Sequence, residues 1–190
     1  MPVLPAEHDR FPEDLFQDGI MQKRPERVWW VMHTRPRQEK SLARDLYQRR
    51  IPFYLPLSAR RRRFRRHIIT SHVPLFTSYV FLLADAEERI AAFTTSVVRS
   101  LPVGEQQELW HDLTQIHRLI ASGAAVTPEQ RLAPGALVEI RSGPLAGLKG
   151  VILKSASGSR FVVQVDFIQR GASVLLDDFT LARIDQLSRS

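Results

Sequence analysis

A chain of 190 residues, 44% apolar and 25% charged, has room for one domain or two small ones and reads as globular and soluble. It holds no cysteine, which excludes disulfides and thiolate metal sites and fits a reducing compartment; with no run near ~18 apolar residues and no basic-then-apolar leader, neither a membrane span nor a secretory signal is expected and the predicted location is the cytoplasm. The net charge is +7, and six arginines between positions 60 and 66 account for all but one unit of it.

Residues 1–26 are interrupted by Pro2, Pro5, Pro12 and Pro25. They read as a flexible N-terminal extension, with one helical turn at Pro12–Phe16 and a short docking motif as the alternative. Val28 to Thr34 (VWWVMHT) is apolar on both faces and β-prone, as a central strand should be. Arg35-Pro36-Arg37-Gln38 follows as a loop. A helix is predicted over 39–50, because Leu42, Ala43, Leu46 and Tyr47 share one face. Phe53 to Leu57 is a short strand, placed at an edge or bulge by Pro56.

Arg60, Arg61, Arg62, Arg63, Arg65 and Arg66 come next. A run this charged cannot be buried, since each unpaired guanidinium would cost several kcal/mol to desolvate. It is predicted to form the tip of a β-hairpin whose return limb passes through Ile68 and Ile69. Two readings stand for the tip: an electrostatic footprint for nucleic acid or an acidic partner, or a solvated turn that only aids solubility. The apolar strand Tyr79 to Leu83 follows. Asp85 and Glu88 have the spacing of a capping box ahead of a helix over 86–93. A strand over 97–101 and an amphipathic helix over 105–121, with Leu109, Leu113, Ile116 and Ile120 on one face, close this region. The pattern indicates an α+β sandwich with helices on an antiparallel sheet.

Residues 122–131 are small and polar and read as a linker. Beyond it, short β-branched runs at 136–140, 150–154, 160–167 and 172–176, with a fifth at 180–184, alternate with Gly-containing turns. Such a segment predicts a small five-stranded barrel, which removes exposed edges by closure.

No catalytic signature is present. None of the six histidines pairs at helical ligand spacing, and neither a phosphate-binding GxxxxGK[ST] loop nor a GxSxG elbow occurs. Asp177-Asp178 reads as a turn rather than an acid/base pair. No enzyme activity, cofactor or metal is expected.

Two motifs then converge. Pro134-Gly135, Val138, Ile140, Gly143-Pro144-Leu145, Gly147 and Gly150-Val151-Ile152 resemble a KOW motif. Gly143 and Gly147 would serve a tight turn, and Gly150 a close approach that a side chain would block. The run Trp29 to Lys40, with Leu46, Arg49 and Leu75-Phe76 through Tyr79-Val80-Phe81, resembles the NGN domain of the NusG family. Tyr54-Leu55-Pro56 and the Thr94-Thr95 loop resemble its specialised, RfaH-like branch. The chain departs from the family at Thr77, where proline is common, and at Val97-Val98, where Gly-Val is common.

The resemblance implies an NGN domain over 27–121, an antiparallel sheet flanked by helices, joined by a linker to a small KOW β-barrel over 132–186. It implies a monomeric transcription elongation or antitermination factor whose NGN domain docks on the clamp helices of the largest RNA polymerase subunit. The implied contacts are Tyr54, Phe76, Tyr79, Phe81, Thr94 and Thr95, although an aromatic on a strand serves equally well as core. Arg35 and Arg37 would face upstream or non-template DNA; the arginine hairpin, by its charge density and not by the resemblance, is the stronger nucleic-acid candidate, and both also suit a solvated loop. The KOW domain would recruit a small-subunit ribosomal protein or the termination factor Rho. A general NusG, or a KOW-type RNA-binding protein acting at the ribosome, is the alternative.

Overall fold

The computed structural model describes residues 7–65, 67–131, 135, 137–155, 158–176 and 181–183. Arg66, Pro134 and Asp177-Asp178, singled out in the sequence, lie outside the described residues. In chain order the elements are β1 (Arg10–Phe11), α1 (Ile20–Lys23), β2 (Val28–Thr34), α2 (Glu39–Gln48), β3 (Phe53–Tyr54), β4 (Leu57–Phe64), β5 (His67–Pro74), β6 (Tyr79–Ala84), α3 (Ala86–Ala91), β7 (Val97–Pro102), α4 (Gln106–Ala121), β8 (Thr127–Glu129), β9 (Leu137–Ile140), β10 (Lys149–Ser155), β11 (Gly158–Val165), β12 (Arg170–Leu175) and β13 (Leu181–Arg183). They fall into two compact units, Met1–Leu57 with Phe76–Trp110, and Ser58–Leu75 with His111–Ser190. No helix among the described residues is long and apolar enough to cross a membrane.

The first unit is built on an antiparallel sheet of order β1-β3-β6-β2-β7. The doubly apolar sequence of β2 lets it sit between β6 and β7, with Val31 opposite both Phe81 and Leu101. Strand alternation turns Met32, Val80 and Leu82 to the face that α2 covers with Leu42, Ala43 and Leu46. Each such leucine contributes about 1.5–3 kcal/mol on burial. The foreseen capping box forms at α3: Asp85 accepts from the Glu88 N–H at 2.9 Å, and Glu88 accepts from the Asp85 N–H at 3.1 Å. The Glu88 carboxylate also takes a fork of bonds from Arg27, the Nε bond being 2.8 Å.

The described part of the N-terminal extension does not match its reading as a flexible segment. β1 adds an edge strand to β3, pairing Arg10 with Tyr54 and Phe11 with Phe53. Leu15 is fully buried. His8 stacks on Tyr47 at 3.7 Å, and Phe11 meets the same ring edge-on at 5.7 Å. The buried Leu15 and the two ring contacts on Tyr47 work against the entropy cost of ordering this stretch.

The second unit contains a sheet of order β13-β9-β10-β11-β12-β8 and a separate two-stranded ribbon, β4-β5. The expected five-stranded barrel is instead a six-stranded antiparallel order with no pairing that closes its ends among the described residues. The additional strand is β8, drawn from the stretch read as linker: Thr127 pairs with Ser173 and Glu129 with Gly171. Arg160 anchors this edge through Nε to the Ser173 hydroxyl at 2.8 Å.

Candidate functional site

Because β2 runs antiparallel to both β6 and β7, the end of β2 and the starts of β6 and β7 lie at the same end of the sheet. Three connections meet there. The Arg35 N–H donates to the Ser96 carbonyl at 2.9 Å, and the Thr34 N–H to the Ser78 carbonyl at 2.9 Å. Glu39, buried in the first turn of α2, accepts from the Ser78 N–H at 2.6 Å. That bond holds Ser78 at φ 67, a left-handed conformation costly for a residue with a Cβ. The Ser96 hydroxyl bonds Gln38 at 3.3 Å. Arg37 has φ 64 and, like Arg35, is exposed.

On this framework five of the residues singled out in the sequence come together: Arg35, Arg37, Tyr79, Thr94 and Thr95. Tyr79 is half-buried, 5.4 Å from the ring of its cross-strand partner His33. Thr94 is half-buried and Thr95 exposed. The 94–96 loop is tied by the Val97 N–H to the Thr94 carbonyl at 3.0 Å. The result is two exposed guanidiniums beside a tyrosine and two threonines on a rigid sheet end, a polar surface able to take a protein helix or a phosphate chain. Sequence reasoning missed Glu39, Gln38, Ser78 and Ser96, which support the loops; only the helix-start position of Glu39 carried a signal.

Tyr54, Phe76 and Phe81 are placed elsewhere. Tyr54 is 1% exposed, and Phe76 and Phe81 are equally enclosed, meeting edge-to-face at 6.4 Å. The expectation that these three rings contact a partner is therefore corrected: they are core. For Tyr54 the reason is the N-terminal segment, whose Phe16 packs edge-on against it at 4.7 Å while the Asp9 carbonyl accepts from the Leu55 N–H at 2.6 Å. Burial raises the Tyr54 phenol well above its ordinary pKa; the Asp9 charge adds to the shift and Arg10 opposes it.

The arginine hairpin forms as predicted, with strands β4 and β5 and a turn at Arg65, φ 53. Arg60, Arg61, Arg62, Arg63 and Arg65 are exposed. No acidic residue occurs between positions 57 and 74, so the field of the ribbon is uncompensated along its own length. Among the described residues no three His, Cys, Asp or Glu side chains converge as metal ligands would.

In the second sheet the glycine spacing has its foreseen geometry. Gly143 and Gly147 have φ 83 and 82, and the Gly147 N–H closes the turn on the Ile140 carbonyl at 2.7 Å. Pro144 is exposed on that turn, and Leu145 is buried beneath it. At Gly150 a Cβ would collide with the Val162 carbonyl oxygen. Gly135 is exposed.

Comparison with protein families gives a match over residues 27–127 to the family described as transcription termination factor nusG. Comparison with curated proteins finds no match.

Proposed function

The chain belongs to the NusG family, whose match covers more than half of its length, and from that membership we propose that it is a specialised, RfaH-like elongation factor that suppresses pausing or termination. Proteins of this family are transcription factors that bind RNA polymerase. The observation that carries the reading is the convergence of Arg35, Arg37, Tyr79, Thr94 and Thr95 on one sheet end within the matched residues.

Region 27–121 acts as the NGN domain. Tyr79, Thr94 and Thr95 meet the clamp helices of the largest polymerase subunit. Arg35 and Arg37 track upstream or non-template DNA, since guanidiniums grip phosphate bidentately and stack on bases. The exposed arginines of the β4-β5 ribbon offer a second group of guanidiniums to nucleic acid. Region 132–186 acts as a KOW domain and recruits a second partner, a small-subunit ribosomal protein or Rho; its glycine turn and its close strand approach at Gly150 support that assignment. The protein works in the cytoplasm as a monomer, without enzymatic activity or cofactor.

Elongation assays with purified polymerase test this reading. The expected result is a stable complex and shortened pauses. Absence of binding together with unchanged pausing would overturn it. The family's description as a termination factor supports a second reading, a general NusG that couples polymerase to Rho. Adding Rho separates the two: enhanced Rho-dependent termination favours the general factor.

A further inference from the structure

We propose that the β4-β5 ribbon is a duplex-DNA element that enters the major groove tip-first and presents an arginine pair to each groove wall. The inference rests on the nucleic-acid reading above and adds to it the strandedness, the groove and the use of both faces.

The first observation is exposure. Residues 59–63 and 67–72 are all exposed, so among the described residues neither face of the outer ribbon is packed against the rest of the chain. Ile68 is 72% exposed and Ile69 50%. An isolated two-stranded hairpin is marginal in water, and two adjacent bare isoleucines on one gain nothing from solvent. Both properties suit an element that is completed by an external surface.

The second observation is how the charge is distributed. Successive residues of a strand point to opposite faces, so Arg60 and Arg62 lie on one face of β4 and Arg61 and Arg63 on the other. None of these four is in an ion pair among the described residues. A flat ligand, such as one strand laid across the ribbon or an acidic protein patch, needs arginines on a single face. Two charged faces call for a partner with phosphates on both sides of the ribbon, and a groove is such a partner.

Dimensions choose the groove. The major groove of B-DNA is about 12 Å wide and 8.5 Å deep and admits a two-stranded ribbon, whereas the minor groove, at about 6 Å, does not. The corresponding groove of A-form RNA is too narrow for side chains. At about 3.3 Å per residue, a depth of 8.5 Å takes in the last two or three residues of each strand. That places Arg62, Arg63, Ile68 and Ile69 inside and leaves Arg60 and Arg61 at the phosphate lip. The isoleucines then face base edges, where the thymine methyl is an apolar surface.

The test uses the full-length chain in an anisotropy titration against a mixed-sequence DNA duplex, each of its single strands, and an RNA duplex of the same sequence. Expected results are tightest binding to duplex DNA and competition by the major-groove ligand methyl green but not by the minor-groove ligand netropsin. The double variants Arg60→Glu/Arg62→Glu and Arg61→Glu/Arg63→Glu should each weaken duplex binding by about tenfold or more, with circular dichroism unchanged. Single-strand or RNA-duplex binding as tight as duplex DNA, competition by netropsin alone, or loss confined to one arginine pair would overturn the groove inference and leave the nucleic-acid reading standing. Failure to bind any nucleic acid would overturn both.

Discussion

A methyl group at position 150 would meet the ring of Phe161 at 2.9 Å as well as the backbone oxygen of Val162. Neither neighbour is a flexible side-chain end, so relief requires a shift of β11 against β10. Gly150→Ala is therefore expected to destabilise by about 1–3 kcal/mol or more, read as a lower denaturation midpoint of the full chain. Leu15 sets the opposite problem, a cavity instead of a clash. It is wholly enclosed, and Leu15→Ala should cost about 2–5 kcal/mol; a flexible N-terminal segment would give a change near zero, so thermal melting separates the two descriptions. The glycine spacing was legible because only a turn or a close approach demands glycine at those positions. Leu15 was not, since a single apolar residue among prolines and acids has no periodicity to reveal what it will cover. Tyr54 was ambiguous for a related reason: an aromatic on a strand fits core and interface alike, and the segment that encloses it lies some forty positions earlier in the chain.

Among the elements, α4 shows how much an amphipathic pattern conveys and where it stops. Leu109, Leu113 and Ile116 are buried as their spacing predicts, whereas Ile120, placed on the same face, is only half-buried and Leu119 is buried instead. Its polar side chains make long-range bonds that no local pattern encodes. The Gln115 carbonyl oxygen accepts from the Lys149 N–H at 2.6 Å, Arg118 donates to the Ala146 carbonyl at 2.7 Å, and Asp112 accepts from the Asp166 N–H at 3.1 Å. His111, on the same stretch, is exposed but partly desolvated, and that desolvation, with the charges of Lys149 and Arg118, lowers its pKa from 6.5. The unfolded chain thus takes up the proton first as pH falls. The stability that follows is fully present above pH 6.5 and is lost as pH drops through the lower folded value. Denaturation midpoints should accordingly fall on acidification from neutral, and His111→Gln should reduce that fall; an unchanged pH profile in the variant would remove His111 as the cause. The ribbon makes its own prediction at this scale. If four of its arginines engage duplex phosphates, log K against log salt should have a slope near −3.6, at about −0.9 per phosphate. A slope near zero would mean that the arginines serve only as a solvated tip.

For the molecule as a whole, charge and docking are carried by different residues. Nearly all the excess of +7 resides in the arginines between 60 and 66, while Tyr79, Thr94 and Thr95 lie at a sheet end fixed by backbone hydrogen bonds and by Glu39. A protein helix held at Tyr79, Thr94 and Thr95 would be bound through apolar and neutral polar contacts, so reversing the ribbon charge should act on a polyanion held against the ribbon and only weakly on that helix. The triple variant Arg61→Glu/Arg62→Glu/Arg63→Glu is expected to lose DNA affinity steeply while its affinity for purified polymerase stays within about twofold, as rim or remote charges change association rates more than bound-state energies. Tyr79→Ala should show the reverse, weakening polymerase binding by about 1–2 kcal/mol, the range of a half-buried aromatic contact, with free-DNA affinity retained. Both affinities can be measured on the same preparations by anisotropy with labelled duplex and labelled polymerase. Parallel loss of both in either variant would mean that DNA and polymerase are gripped by one surface, and the assignment of separate roles to the ribbon and the sheet end would fall.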